Sequence, residues 1–151
     1  MSEVKPIRFG YTRISTDEFA ILSEAYDPAQ DAAMNVNMVF GFSKVDQILA
    51  MQAKCIFMQQ NKALVVISVS CYFRILPEDW VEIYDEQSNT LLVHKSAALH
   101  FASLTVSTAR GVLHAKTEKH PVNTLIIPPV NVNDFIKGDL VLSGADMTHP
   151  K

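Results

Sequence analysis

Over residues 34–75 apolar and polar side chains alternate almost without interruption, the period of two that belongs to β-strands. Met34, Val36, Met38, Phe40 and Phe42 fall on one side of a first strand, with Asn35, Asn37, Gly41 and Ser43 opposite. Leu49, Met51, Ala53, Cys55 and Phe57 repeat the pattern against Ala50, Gln52, Lys54 and Met58. In the third strand Val65, Ile67, Val69, Cys71, Phe73 and Ile75 make an unbroken apolar face. Leu64, Val66, Ser68, Ser70, Tyr72 and Arg74 make a mixed one. The connections, at residues 44–47 and at Asn61-Lys62, are too short for a crossover helix, so the three strands form an antiparallel meander. Upstream, residues 7–26 are extended in pattern. There the alternation that starts with Phe9, Tyr11 and Arg13 breaks at Asp17-Glu18, which predicts a strand with a bulge. Asp27-Pro28 is a turn signal.

Beyond residue 76 the period changes. Pro77 suits a first helical position, and Glu78 and Asp79 suit the positive end of a short helix running to Tyr84. Leu99, Ala102, Val106, Ala109 and Leu113, three and four apart, share one face of a long helix. Ser96 is its expected N-cap, Lys116, Lys119 and His120 suit its carbonyl end, and Pro121 stops it. Thr105, Val106, Thr108, Gly111 and Val112 are weak helix formers, so this helix needs a sheet to pack on. Its small residues Ser103, Ser107 and Gly111 would admit a second helix, between subunits. Residues 125–129 return extended, and residues 1–6 and 137–151 read as loose termini. The expected architecture is a single α+β domain over residues 1–151. It has a four-stranded antiparallel sheet and the long helix on one face.

The strands exceed the usual ~5–6 residues, and one helix cannot cover so long a sheet. Phe40, Phe42, Met51, Phe57, Met58 and Tyr72, with Trp80 beyond them, hold more apolar surface than it could bury. Most must be core. The remainder are the candidate lining of a groove for extended, unfolded polypeptide. Methionine suits such a surface because its flexible thioether adapts to many apolar shapes.

Composition narrows the function by exclusion. Of 151 residues 48% are hydrophobic, enough for a packed core, and the net charge of −3 comes with no basic patch for nucleic acid. No apolar run approaches the ~20 residues of a membrane span, and the first residues lack a secretory pattern, so a cytoplasmic protein is expected. Cys55 and Cys71 sit in apolar runs and read as reduced core thiols. His94, His100, His114, His120 and His149 form no metal-ligand spacing, and no GxSxG, GxGxxG or P-loop is present. No catalytic residue, cofactor or metal is therefore assigned. Glu78, Asp79, Glu82, Asp85 and Glu86 make an acidic cluster that reads as a solvated face rather than a dock for a basic partner.

Three features resemble the SecB family of protein-export chaperones. The order of elements is similar: an extended first strand, a meander, a helix, an extended return. The meander ends in Phe73-Arg74-Ile75, similar to the family's Phe-x-Ile. Ala109-Arg110, followed by LIIPPVNVNDFI, resembles the family's Ala-Arg helix and its Leu-x-Leu-x-Pro-Val-Asn-Phe segment, with Leu125, Ile127, Pro129, Val130 and Asn131 matching position by position. Departures are plain: Val106–Thr108 replaces Phe-Pro-Tyr, and residues 137–151 replace a second helix and an acidic tail. The resemblance implies an ATP-independent chaperone for unfolded or pre-secretory polypeptides, without catalysis, assembled as a homo-oligomer, a tetramer in the family. It also implies docking to SecA through acidic first-strand residues, for which Asp17 and Glu18 are the candidates. Two alternatives stand beside it. One is a hot-dog-type enzyme, which places its long helix ahead of most strands. The other is an adaptor dedicated to one partner, such as a toxin–antitoxin chaperone.

Overall fold

The computed structural model describes residues 5–144. Strands β1 (Phe9–Ile21), β2 (Ala33–Ser43), β3 (Ile48–Gln59) and β4 (Lys62–Ile75) form one antiparallel sheet in the order β1-β4-β3-β2. The β3–β4 hairpin turns on Gln60 and Asn61, one residue earlier than the sequence predicts. Both have positive φ, 49° and 63°, the primed geometry that matches strand twist.

The first strand carries two bulges where one was expected. Its register against β4 shifts between Tyr11 and Arg13 and again between Thr16 and Glu18. These shifts decide which side chains face the core. In a regular strand Tyr11, Arg13, Ser15 and Asp17 would share a face. Instead Tyr11, Ile14, Thr16, Phe19 and Ile21 stand beside Phe73, Cys71, Val69, Ile67 and Val65. Arg13 and Ser15 move to the opposite face, beside Tyr72 and Ser70. The bulges thus keep the charged side chains of Arg13 and Glu18 off the apolar side of β4.

After β4 the chain forms the helix α1 (Pro77–Ile83), with Pro77 in its first turn as predicted. Then come β5 (Tyr84–Asp85), β6 (Thr90–Val93) and the helix α2 (Lys95–Lys116). Two 3-10 turns follow, and β7 (Leu140–Ser143) completes a second sheet ordered β5-β6-β7. The sequence gives no sign of this small sheet. Residues 140–143 read there as part of a polar terminus, and only their pairing along β6 makes them a strand. Residues 145–151, the rest of that terminus, lie outside the described residues, as do residues 1–4.

α2 lies against β3 and β4. Its buried side chains are Ala98, Phe101, Ala102, Thr105, Val106, Ala109 and Leu113, and they share one core with Leu49, Met51, Cys55, Val69 and Phe73. Three corrections follow. Leu99 is only half-buried, at the edge of the stripe, while Phe101 is central, because the helix is rotated toward the aromatic cluster of Phe9, Phe73 and Phe101. Ser96 does not cap the helix. His94 is the N-cap residue and makes no side-chain capping bond, and the Lys95 N–H donates instead to Asp139 Oδ1 at 2.8 Å. A carboxylate from far along the chain thus meets the positive helix end. The helix also stops at Lys116, short of Pro121. There the Thr117 hydroxyl donates to the Leu113 carbonyl at 2.8 Å, and Asn123 Nδ2 donates to the His114 carbonyl at 3.2 Å.

Candidate functional site

The candidate lining residues separate onto two sides of the sheet. Phe42, Met51 and Phe57 lie on the side that faces α2, and all three are buried. Phe40 shares that side and is half-buried. Trp80 is buried as well. It stacks on Tyr84 at 5.5 Å and meets Phe42 at 6.3 Å, so it anchors α1 to the end of β2. Met58 and Tyr72 lie on the opposite side. Tyr72 is buried, with the Arg13 guanidinium 5.2 Å from its ring centre, and burial pushes its phenol above the ordinary value. The seven residues therefore do not form one surface. Four fill the chain's own core, because the covering layer is not one helix but α1, α2 and the 125–136 return together.

The receptor-docking candidates are engaged within the chain. Asp17 sits at the second bulge. Its carboxylate accepts from Ser15 Oγ at 2.9 Å, from Gln52 Nε2 at 2.8 Å and from the Ser70 hydroxyl. Glu18 pairs with Lys54 at 2.8 Å and keeps about half of its side chain in water. The acidic run likewise meets its own terminus. Asp79 accepts from the Arg8 backbone N–H at 2.7 Å, from Nε at 3.0 Å and from Nη2 at 2.9 Å, and Glu82 meets Lys5 at 3.2 Å.

Surface that pattern reading missed lies on β1. Tyr11 and Ile14 extend the core face beyond β4 yet are 48% and 51% exposed. Tyr11 packs on Phe73 at 5.2 Å and approaches Thr108 of α2, so it lies where the edge strand meets the helix. Periodicity could not find Ile14, because the bulge at Thr12 inverts its side of the strand. The return segment is fixed by one clamp. Arg110 Nε donates to the Ile127 carbonyl at 2.6 Å and Nη2 donates to the Pro128 carbonyl at 2.9 Å. Ala109 beside it is fully buried, small enough to bring this turn of α2 onto the sheet.

Among the described residues no group of three His, Cys, Asp or Glu side chains is placed to hold a metal ion. No described helix is long and apolar enough to cross a membrane.

The fold is α+β, built on a four-stranded antiparallel sheet with two helices. No protein-family model matches the chain, and no curated protein matches it. Among solved structures a SecB-like chaperone of Mycobacterium tuberculosis, in complex with a ChAD peptide from the HigA1 antitoxin, is similar over 83% of this chain and 90% of that one. The identity is 12% and the TM-score 0.45. A likeness so distant assigns no residue of the site.

Proposed function

We propose that this protein is a SecB-like holdase, a single domain that keeps extended, unfolded polypeptide in solution without ATP and without catalysis. The observation that carries this reading is the exposed margin of the core face. Tyr11 and Ile14 continue the apolar surface of Phe73 and Cys71 onto an edge strand and remain about half in water. A client segment with apolar residues at every second position would lie along that margin, where α2 crosses one face of the sheet. The half-buried Phe40 and Met58 are further contact points, whereas Phe42, Met51, Phe57, Tyr72 and Trp80 could meet a client only if their cover opened. The resemblance of residues 125–131 to the SecB return segment supports the same reading.

The assembly is a homo-oligomer in this reading, a tetramer by the resemblance, and Ser103, Ser107 and Gly111 stand exposed on α2 where a second helix would approach. Residence in the cytoplasm belongs to the same reading. Delivery to SecA has weaker support than a dedicated partner, such as one member of a toxin–antitoxin pair, because Asp17 already has three donors inside the chain. A hot-dog-type enzyme fits poorly, since α2 follows β1 to β4 in chain order.

The test is refolding of a slow-folding client at equimolar protein with no nucleotide. Refolding is expected to be delayed, and the delay to shrink when Tyr11→Ser and Ile14→Ser are combined. If several unrelated clients refold at their own rate beside the wild-type protein, general holding is wrong.

A further inference from the structure

β7 is held mainly by its backbone and its ends, and of its side chains only Leu140 and Leu142 pack against the core, neither of them fully buried. It pairs along β6 from Thr90↔Ser143 to Val93↔Leu140. At one end Asp139 accepts from the Lys95 N–H at 2.8 Å and lies 3.5 Å from His94 Nδ1. At the other, Asn89 Nδ2 donates to the Gly144 carbonyl at 2.6 Å, and the Gly144 N–H donates to the Asn89 carbonyl at 3.4 Å. Between these anchors no side chain is fully buried. Leu140 and Leu142 are half-buried, Val141 is 59% exposed, and the last buried residue before them is Ile136. The partner strand is the reverse case, since Leu91 and Val93 of β6 have no exposed surface at all. Local opening draws on segments with few buried apolar contacts and exposed backbone bonds, and β7 is such a segment.

We propose that β7 is a displaceable strap, and that the β6 edge it covers takes up an extended polypeptide by strand addition. The proposal rests on the holdase reading and adds to the β1 margin a second client site, with its mode of docking. When β7 leaves, the backbone groups of Thr90–Val93 on that side lose their partners and need new ones. Any extended chain can supply them. The register fixes the side-chain chemistry: the residues that replace Leu142 and Leu140 stand beside Leu91 and Val93 and face the core, and the one between them faces water. The fitting ligand is therefore an extended segment with two apolar residues separated by one residue of any kind. β7 itself, Leu-Val-Leu-Ser, has this pattern and acts as the resident stand-in. Main-chain pairing supplies most of the affinity in this mode, so sequence preference is low, as a holdase requires.

A reversible lock tests the idea in the full chain. Leu92 and Val141 are partners across β6 and β7, 38% and 59% exposed. Asn89 and Gly144 exchange a backbone bond, so by alternation Leu92/Val141 is a non-hydrogen-bonded position, where a disulfide fits best. Cys55 and Cys71 are buried away from it. The variant L92C/V141C, oxidised, is expected to bind reduced and carboxymethylated lactalbumin, a permanently unfolded probe, at least about tenfold more weakly than wild type, with reductant restoring binding. Binding by wild type and oxidised variant alike overturns the strap alone. A wild-type protein that does not bind the probe overturns the holdase reading and the docking claim together. Amide exchange of the client-free wild type is the second arm. Residues 140–143 are expected to exchange at least about a hundredfold faster than residues 65–73, and equal protection overturns the strap whatever the probe does.

Discussion

Arg8 and Asp79 meet through three hydrogen bonds that tie the chain ahead of β1 to the first turn of α1. The Arg8 side chain first, and its backbone N–H second, hold the Asp79 carboxyl down to about 2 from an ordinary 3.8. A folded-state value below the unfolded one means that the unfolded chain binds the proton more readily. The pair therefore stabilises the fold above about pH 4, and its contribution is lost as pH falls toward about 2. Denaturant titrations of Asp79→Asn between pH 2 and pH 5 are expected to show a shallower loss of stability on acidification than wild type. An unchanged slope would mean that the bonds do not persist in solution. The thiols offer a second check. Burial pushes Cys55 up to about 11 and Cys71 up from its ordinary value, so both resist ionisation. At pH 8 Cys55 is expected to react about a hundredfold more slowly than an exposed thiol, and denaturant should release both. Rapid labelling of native protein would contradict the packing of β3 and β4.

At the scale of elements, α2 depends on its buried stripe because its own residues favour the helix weakly. Leu113 is buried among sheet residues, so Leu113→Ala is expected to cost ~2–5 kcal/mol in urea unfolding. Leu99→Ala should cost less, since Leu99 is only partly buried at the edge of the stripe. Equal losses would put the helix in a different rotation. Most of this stripe is legible in the sequence, since Ala102, Val106, Ala109 and Leu113 follow the helical period and are all buried. Phe101 was not, because an aromatic residue beside a histidine on a weak helix carries no mark of the face it will take. Its side is set by Phe9 and Phe73, which only the β1–β4 pairing brings there.

For the whole molecule, assembly is the property most open to measurement. Ser107 is exposed on α2, so Ser107→Arg should leave the subunit folded while lowering the solution mass of any assembly formed through that face. Sedimentation at micromolar concentration checks this, and a wild-type monomer would contradict the proposed oligomer. The sequence alone determined the meander, the first strand beside it, the two helices and their order. Period-two and period-3.6 patterns are local, and local patterns survive without knowledge of neighbours. Tertiary structure alone decided three matters. It decided which aromatic and methionine residues are core, because a strand pattern names two faces but not which face is covered. It decided that Ile14 stays near the surface, because the bulge at Thr12 exists only in the pairing of β1 with β4, and it decided that Asp17, at the bulge the sequence does mark, turns to Ser70 and Gln52. And it made a strand of Leu140–Ser143, because four residues without a buried side chain become β-structure only when a partner edge supplies their hydrogen bonds.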